Sequence, residues 1–374
     1  MQHALRTAAA LGLAGSLISS GMTQSPAEGA AARAGTVRLV AWSTGSLPGG
    51  TEGALDRMAG VRATTVLAGS LFMRRSFDPA GHAVDRPPRG YRIPLDVAYI
   101  RPWGYRRFAR PEERKAITSL RHGRALMARA EVPLRGDHQH LYMRTTVGRL
   151  HSVGRVSTWT AQGYEFVTPA PPPVGVQTLR TVLIDKDRDV PTARIRTRIR
   201  SLMAPGAPLR VVSRRHTSYL RYAESTAPLV RLKHVFGEFP MRFGTGGDIV
   251  IAPNWVSNHI RTGSVPVIGR VTCHRRLFPQ LRGALAELRR EGLGYLIRSY
   301  DGCYNSRVVT GGHQRISRHS WGIALDINAS GNCFGCTPHQ DGRLVRIMRR
   351  WGFVWGGTFP TPDGMHFEWR RFPH

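Results

Sequence analysis

Residues 36–42 (TVRLVAW) are rich in β-branched and aromatic side chains, 52–60 read as a short helix ending on Gly60, and 61–72 return to strand composition. The same order recurs later: 176–184 is strand-like, 191–203 is a basic helix candidate, and 209–212 is strand-like again. Further strand-like segments lie between them at 141–147 and 163–167. Two β-α-β units separated by strands predict an α+β accessory region over residues 36–234. The Pro/Gly-rich stretches 87–90 and 169–175 read as loops or a linker.

From about Phe236 the pattern changes. Leu281, Leu285 and Leu288 form an apolar stripe over 278–290, with Gly292 where a helix C-cap glycine belongs. Leu344, Ile347, Met348 and Trp351 mark a second amphipathic helix, closed by Gly352. Residues 295–300 read as a strand leading into a turn at Asp301-Gly302. Two further segments alternate with period two. In 323–328, Ile323, Leu325 and Ile327 share one face and Ala324, Asp326 and Asn328 the other; in 365–369, Met365, Phe367 and Trp369 oppose His366 and Glu368. Each predicts a strand with one face in the core. If the two strands are neighbours, Asp326 and His366 aim at one point, and His319 reaches it from the loop before the first strand.

Composition adds location and surroundings. The chain of 374 residues has room for two domains and carries a formal charge of +30. The positive charge is nearly all arginine; the lysines are Lys115, Lys186 and Lys233. Residues 235–374 hold 18 Arg/Lys and 9 Asp/Glu, and the remainder 36 and 15, so both halves are basic. Such a surface implies a polyanionic environment: nucleic acid, anionic lipid or an anionic cell-wall polymer. The N-terminus narrows the choice. Arg6 precedes a short apolar run at 8–18, and Ala30-Ala31-Ala32 offers a cleavage site. That is the layout of a secretory signal, so residues 1–35 are expected to be a signal peptide and leader on an exported protein. No other stretch approaches the ~20 apolar residues needed to cross a bilayer, so no transmembrane span beyond a signal anchor is expected.

Cys273, Cys303, Cys333 and Cys336 all fall in the C-terminal part. Export permits one or two disulfides, and three pairings are open. Cys333-x-x-Cys336 has no second close pair to complete a four-cysteine zinc site, so a structural disulfide or buried thiols is the expectation. Asp137-His138-Gln139-His140 reads as a solvated loop.

Two imidazoles and a carboxylate suffice to bind a catalytic zinc (Zn2+) that keeps one position open. His319 and Asp326 lie seven residues apart, and His366 is flanked by Asp363 and Glu368. Such a set leaves the ion with net positive charge, which polarises a carbonyl and lowers the pKa of water toward ~7. A nearby carboxylate can then carry the proton to a leaving amine. Taken singly, a histidine or aspartate on a half-buried strand is usually just solvated or hydrogen-bonded; the joint arrangement is what points to chemistry. Ser317 has no nucleophile elbow around it and reads as support for the His319 loop.

Ser317-x-His319-x-x-Gly322-x-Ala324-x-Asp326 resembles the SxHxxGxAxD signature of the zinc peptidases grouped with D-alanyl-D-alanine carboxypeptidases and dipeptidases. Trp351-Gly352-Phe353-x-Trp355-Gly356-Gly357 and Asp363-Gly364-Met365-His366-Phe367-Glu368 are similar to the branch that includes phage L-alanyl-D-glutamate endopeptidases. Trp255, Cys273-His274 and the run from Tyr300 to Arg307 follow the same style, so the resemblance spans residues 235–374. It implies a D-alanyl-D-alanine carboxypeptidase-like domain, a small antiparallel sheet with helices, after the accessory region. By this resemblance His319, Asp326 and His366 are the zinc ligands, and Asp363 is the general base where the family commonly has glutamate. Glu368 is the alternative base or a partner orienting His366, and Arg307 neutralises oxyanion charge or holds a substrate carboxylate.

The expected function is hydrolysis of peptide bonds in peptidoglycan stem peptides by a secreted metallopeptidase. The charge favours association with anionic cell-wall polymers. Nucleic acid is disfavoured as a partner, because binding it leaves the metal signature and the export signal unexplained. The alternative is a non-catalytic wall-binding protein that keeps the peptidase fold.

Overall fold

The computed structural model describes residues 35–213, 227–309 and 314–373, so the expected signal segment lies outside the described residues. In chain order the N-terminal region contains β1 (Thr36–Trp42), α1 (Thr51–Asp56), β2 (Val61–Phe77), β3 (Ala83–Asp85), β4 (Ile93–Ile100), α2 (Pro102–Tyr105), α3 (Arg114–Thr118), β5 (Arg124–Ala128) and β6 (His140–Thr145). It continues with β7 (Gly148–Val156), β8 (Phe166–Pro169), β9 (Thr178–Asp187), α4 (Thr192–Arg200) and β10 (Arg210–Ser213).

Both expected β-α-β units are present, and they interleave. The strand order β10-β1-β9-β2, with β1 antiparallel to both neighbours, is a split βαβ arrangement in which each unit receives a strand of the other between its own two. β2 outruns this sheet. Its first half, Val61 to Gly69, pairs with β9, while Met73 to Phe77 pair with β6 across a register shift. The far half thereby closes a six-stranded barrel in the order β2-β4-β8-β5-β7-β6. Leu71, Met73, Leu95, Val97 and Phe166 fill its interior. Pro169 ends β8 and 170–175 are the loop joining it to β9, and of the segment expected to be solvated Asp137 and His140 are exposed while His138 and Gln139 are half-buried.

The C-terminal region contains α5 (Leu229–Phe236), β11 (Met241–Phe243), β12 (Ile249–Ile251), α6 (Pro253–His259), β13 (Ile260–Val265), β14 (Gly269–His274) and α7 (Phe278–Arg290). β15 (Tyr300–Gly302), β16 (Ala324–Ile327), α8 (Gly342–Arg350), β17 (Phe353–Trp355) and β18 (His366–Trp369) follow. A four-stranded antiparallel sheet of order β15-β16-β18-β17 is backed by α7 and α8, whose leucine and isoleucine stripes are buried with Trp321 and Phe367. Gly352 ends α8 with φ +80°, and a Cβ there would stand 2.2 Å from the Arg371 carbonyl oxygen, so only glycine fits.

The strand expected over 295–300 is a correction. The chain forms a 3-10 turn at Gly294–Leu296, and pairing begins only at Tyr300. The Asn328 side chain explains this: its Oδ1 accepts the N–H groups of Arg298 (2.7 Å) and Ser299 (3.1 Å), removing the donors a strand ladder would use. Both cysteine pairs form disulfides, Cys273–Cys303 and Cys333–Cys336.

The two regions meet through buried charge. Lys233 on α5 is fully buried and pairs with Glu165 of the N-terminal domain at 2.7 Å and with Glu238 at 2.8 Å. Arg135, also fully buried, reaches Glu131 (2.8 Å) and Asp85 (2.5 Å) in its own domain and Glu238 across the interface. Burial and then the neighbouring Glu131 push the Glu165 carboxyl well up, opposed by Lys233. Arg92 and Met241 exchange both backbone hydrogen bonds at 2.8 Å, and Phe72 of β2 lies edge-on to Phe243 at 4.9 Å, buried in the C-terminal core. Removing one partner from a buried charge cluster leaves the others uncompensated and costs about 3–5 kcal/mol. Lys233→Met is therefore expected to lower unfolding free energy by about that amount in a denaturant titration; a loss under about 1 kcal/mol would place the cluster outside the fold's stability.

His274 gives a pH dependence of known sign. Its Nε2 donates to the Phe236 carbonyl at 3.0 Å, its Nδ1 accepts from the Arg276 N–H at 3.1 Å, and burial pushes the imidazole down to about 4. Between that value and the unfolded value of about 6.5 the unfolded chain binds the extra proton, so stability falls as pH falls through this window. Thermal melts from pH 7 to 4 are expected to show this loss, and His274→Gln to flatten it.

Candidate metal centre

β16 and β18 are neighbours, and their register sets Asp326 directly opposite His366. Opposed residues of an antiparallel pair share a face, so the two side chains converge as the alternation predicts. Ile323, Leu325, Ile327, Phe367 and Trp369 are buried beneath them. Two residues depart from the pattern. Met365 precedes the strand and borders a cavity instead of filling the core, its N–H donating to Asn332 O at 2.9 Å. Asn328 has left the ladder in a left-handed conformation, φ +59°, with its amide turned into the 296–299 loop.

His319 arrives from a single 3-10 turn, Arg318–Trp321. The Ser317 Oγ caps that turn, accepting the His319 N–H at 3.3 Å. Gly322 closes it at φ +63°, where a Cβ would stand 2.6 Å from the His274 nitrogen. The serine and glycine of the motif thus shape the backbone that presents the imidazole.

The three side chains form one buried group whose ligand atoms all lie within 4.8 Å of one another. His319 Nε2 is 3.3 Å from Asp326 Oδ2, His366 Nδ1 is 3.2 Å from Asp326 Oδ1, and the two ring nitrogens face each other at 3.2 Å. The opposite ring nitrogens are both committed. His319 Nδ1 donates to the Cys303 carbonyl at 2.8 Å, and His366 Nε2 donates to Glu368 Oε2 at 3.1 Å. Because a carbonyl and a carboxylate only accept, each ring when neutral turns its inner lone pair toward Asp326. Burial opposes charge on His366, yet its hydrogen bonds to Asp326 and Glu368 raise the imidazole to about 10, so with no cation between the groups a proton on that ring supplies the positive charge. Two imidazole nitrogens and one carboxylate oxygen, with both outer nitrogens oriented by acceptors, is a donor set that suits zinc.

A cavity of about 620 Å³ opens beside the group, bordered by His319, His366, Arg307, Asp363 and Glu368. The Asp363 Oδ1 is buried and makes no hydrogen bond among the described residues. Burial pushes its carboxyl up, and His366 pulls the other way. The Asp363 backbone is fixed by its N–H to Gly356 O (3.0 Å), by a bridge to Phe334, and by Gly335 donating to Pro362 O (2.6 Å). The Cys333–Cys336 disulfide closes the turn that carries Phe334 and Gly335. Arg307 is held at its backbone by Ser320, whose Oγ accepts the Arg307 N–H at 3.1 Å and donates to its carbonyl at 3.0 Å.

Ser320, Asn332 and the Cys303 carbonyl were not singled out from sequence. A backbone carbonyl leaves no residue-type signal, but Ser320 lies inside the His319 motif, where a second buried hydroxyl could have been asked for. Trp255, noted in the sequence, is a core residue packed on Phe239 at 5.0 Å.

A family model described as D-alanyl-D-alanine carboxypeptidase matches residues 310–369. The match supports a peptidase domain of that family in the C-terminal part, and it takes in His319, Asp326, Asp363, His366 and Glu368, with Arg307 just outside it. No curated protein and no solved structure matches the chain.

Loss of an outer partner that orients a metal-binding histidine typically weakens metal affinity 10–100-fold. Glu368→Ala is therefore expected to bind zinc about 10–100-fold more weakly in a chelator competition, and equal affinity would show that Glu368 does not orient His366.

Proposed function

We propose that this chain, with its C-terminal match to the D-alanyl-D-alanine carboxypeptidase family, is a zinc-dependent peptidase that hydrolyses peptide bonds in peptidoglycan stem peptides. The observation that carries the reading is the Asp363 carboxylate oxygen, unpaired among the described residues, on the wall of the same cavity as the converging His319, Asp326 and His366. A wall-binding module without catalysis has no use for a desolvated acid there. In this reading 1–35 are the signal and leader, 36–234 the accessory region and 235–374 the peptidase domain, with the whole of α5 (Leu229–Phe236), packed in the C-terminal core, going with the peptidase domain.

His319, Asp326 and His366 would hold the ion. When bound, zinc supplies a Lewis acid that polarises the scissile carbonyl and acidifies water. The chain's own residues do the rest. Cys303 and Glu368 fix the two imidazole tautomers, so neither ring must reorient. Asp363 takes a proton from the attacking water and returns it to the leaving amine; its raised carboxyl pKa suits a group that must hold a proton between the two transfers. Arg307 sets a guanidinium at the cavity wall to face oxyanion charge or a substrate carboxylate. Glu368, already engaged with His366, is the orienting partner and leaves base duty to Asp363.

The substrate class implies an extracytoplasmic protein. Among the described residues no helix is long and apolar enough to cross a membrane. The charge of +30 suits residence among anionic wall polymers, and binding to purified walls should weaken with salt.

The test is mass spectrometry of muropeptides incubated with the zinc-loaded full chain. Wild type is expected to convert stem peptides to products of a single hydrolysis, at either a terminal or an internal bond. Asp363→Ala should bind zinc like wild type and lose about 10²–10⁴ in kcat. An inert wild type, or an unimpaired variant, would contradict the reading.

A further inference from the structure

The cavity beside the His–Asp–His group has a wall that the peptidase domain does not build. The split βαβ sheet has two faces. One, carrying Leu39, Ala41, Ala63, Val182 and Ile184, is packed together with Leu55 of α1 and Ile195 of α4. The other carries Val40, Val66, Ala98 and Leu183 and is covered by Tyr105, Phe108 and Ile117, but over only part of its length. Stepping two residues along each strand continues that second face: Val40 to Trp42, Val66 to Ala68 and Ser70, and Leu183 back to Thr181 and Leu179. The register agrees, with Ala68 opposite both Leu179 and Ala98, and Ser70 opposite Asp96. These continuing residues line the cavity together with His319, His366 and Asp363. Two further on, Phe72 is buried in the peptidase core itself.

The same β-strand face therefore starts under its own helices, crosses over the metal group and ends inside the other domain. The Lys233–Glu165 pair and the Arg92–Met241 backbone exchange hold the two domains in this position. At the near edge the Thr44 and Thr361 hydroxyls meet at 2.8 Å, joining the loop after β1 to the segment that leads to Asp363. A cavity of about 620 Å³ is of the size that encloses a small ligand, not a groove for an extended polymer. Trp42, Ala68 and Leu179 make its far wall apolar, and the Trp42 indole N–H has no acceptor among the described residues.

We propose that the N-terminal domain forms half of the substrate site: a short peptide lies between the domains, and the Trp42–Ala68–Leu179 surface selects the side chain flanking the scissile bond. This rests on the peptidase reading above. The ligand class is a single peptide segment with a small apolar residue against that surface and the indole N–H bonded to a peptide carbonyl. The sheet face is then a specificity surface, and the three residues act by contact with substrate away from the reacting atoms.

The experiment uses the zinc-loaded full chain and synthetic stem pentapeptides that carry either alanine or leucine beside the cleaved bond. Wild type should prefer alanine. Ala68→Phe narrows the space and should widen that preference by about tenfold in kcat/KM, while Trp42→Ala enlarges it and should shrink the preference by about tenfold. Zinc content and melting temperature, measured alongside, identify any variant that has lost its fold, and Leu179→Ala, expected to shift preference in the Trp42→Ala direction, stands in for it. Opposite shifts in a ratio of substrates do not arise from a general loss of stability. Preferences within about twofold of wild type in all folded variants would overturn the proposal. If the wild type cleaves neither peptide, the peptidase reading fails; calorimetric binding of the same two peptides then decides the wall, since unchanged dissociation constants in the variants overturn it as well.

Discussion

Two inner histidine nitrogens and a carboxylate meet in a buried space at separations near 3.2 Å, with both outer ring nitrogens held by acceptors. The group gathers around positive charge, which a proton on His366 or, on the proposed reading, a metal cation supplies. Much of the C-terminal domain serves to impose this arrangement. The Cys273–Cys303 disulfide anchors the residue whose carbonyl orients His319. The left-handed Gly322 turns the chain sharply enough to bring that imidazole beside β16. The pairing of Asp326 with His366 fixes the other two ligands in one register, and a slip by one residue would turn either of them into the core.

The second constraint is between domains. In a chain whose basic residues are almost all arginine, one of its three lysines is fully buried at the interface. A buried ion-pair cluster adds little net stability compared with apolar packing, but it tolerates few alternative dockings, because a misplaced partner leaves a desolvated charge unpaired. The result is a fixed roof over the metal group. On the proposed reading chemistry comes from one domain and shape from the other, so selectivity can vary without disturbing the ligands.

The site was more legible in the sequence than the fold. Strand alternation alone separated Asp326, His366 and Glu368 from Leu325, Phe367 and Trp369, because the period-two rule depends only on the local backbone. Helix α7 was readable to its ends, since a leucine stripe and a closing glycine are local signals too. The β-α-β units at the start and end of the accessory region were visible for the same reason, but their interleaving was not. Which strand lies beside which is decided by contacts over a hundred residues apart, such as Ala68 with Leu179, and no single segment encodes them. The barrel was hidden because β2 runs on from the split βαβ end of the sheet and closes the same sheet on itself through β6. The 295–300 segment misled because Asn328, about thirty residues on, takes the backbone donors that its composition would have spent on a strand.

Zinc K-edge X-ray absorption of the zinc-loaded protein tests most directly whether His319, Asp326 and His366 hold a cation. The expected spectrum is that of one tightly bound zinc with only nitrogen and oxygen neighbours at about 2.0–2.2 Å, two of them imidazole, in a shell that is lost in His366→Ala. Sulfur scattering at about 2.3 Å, or a spectrum that His366→Ala leaves unchanged, would contradict it.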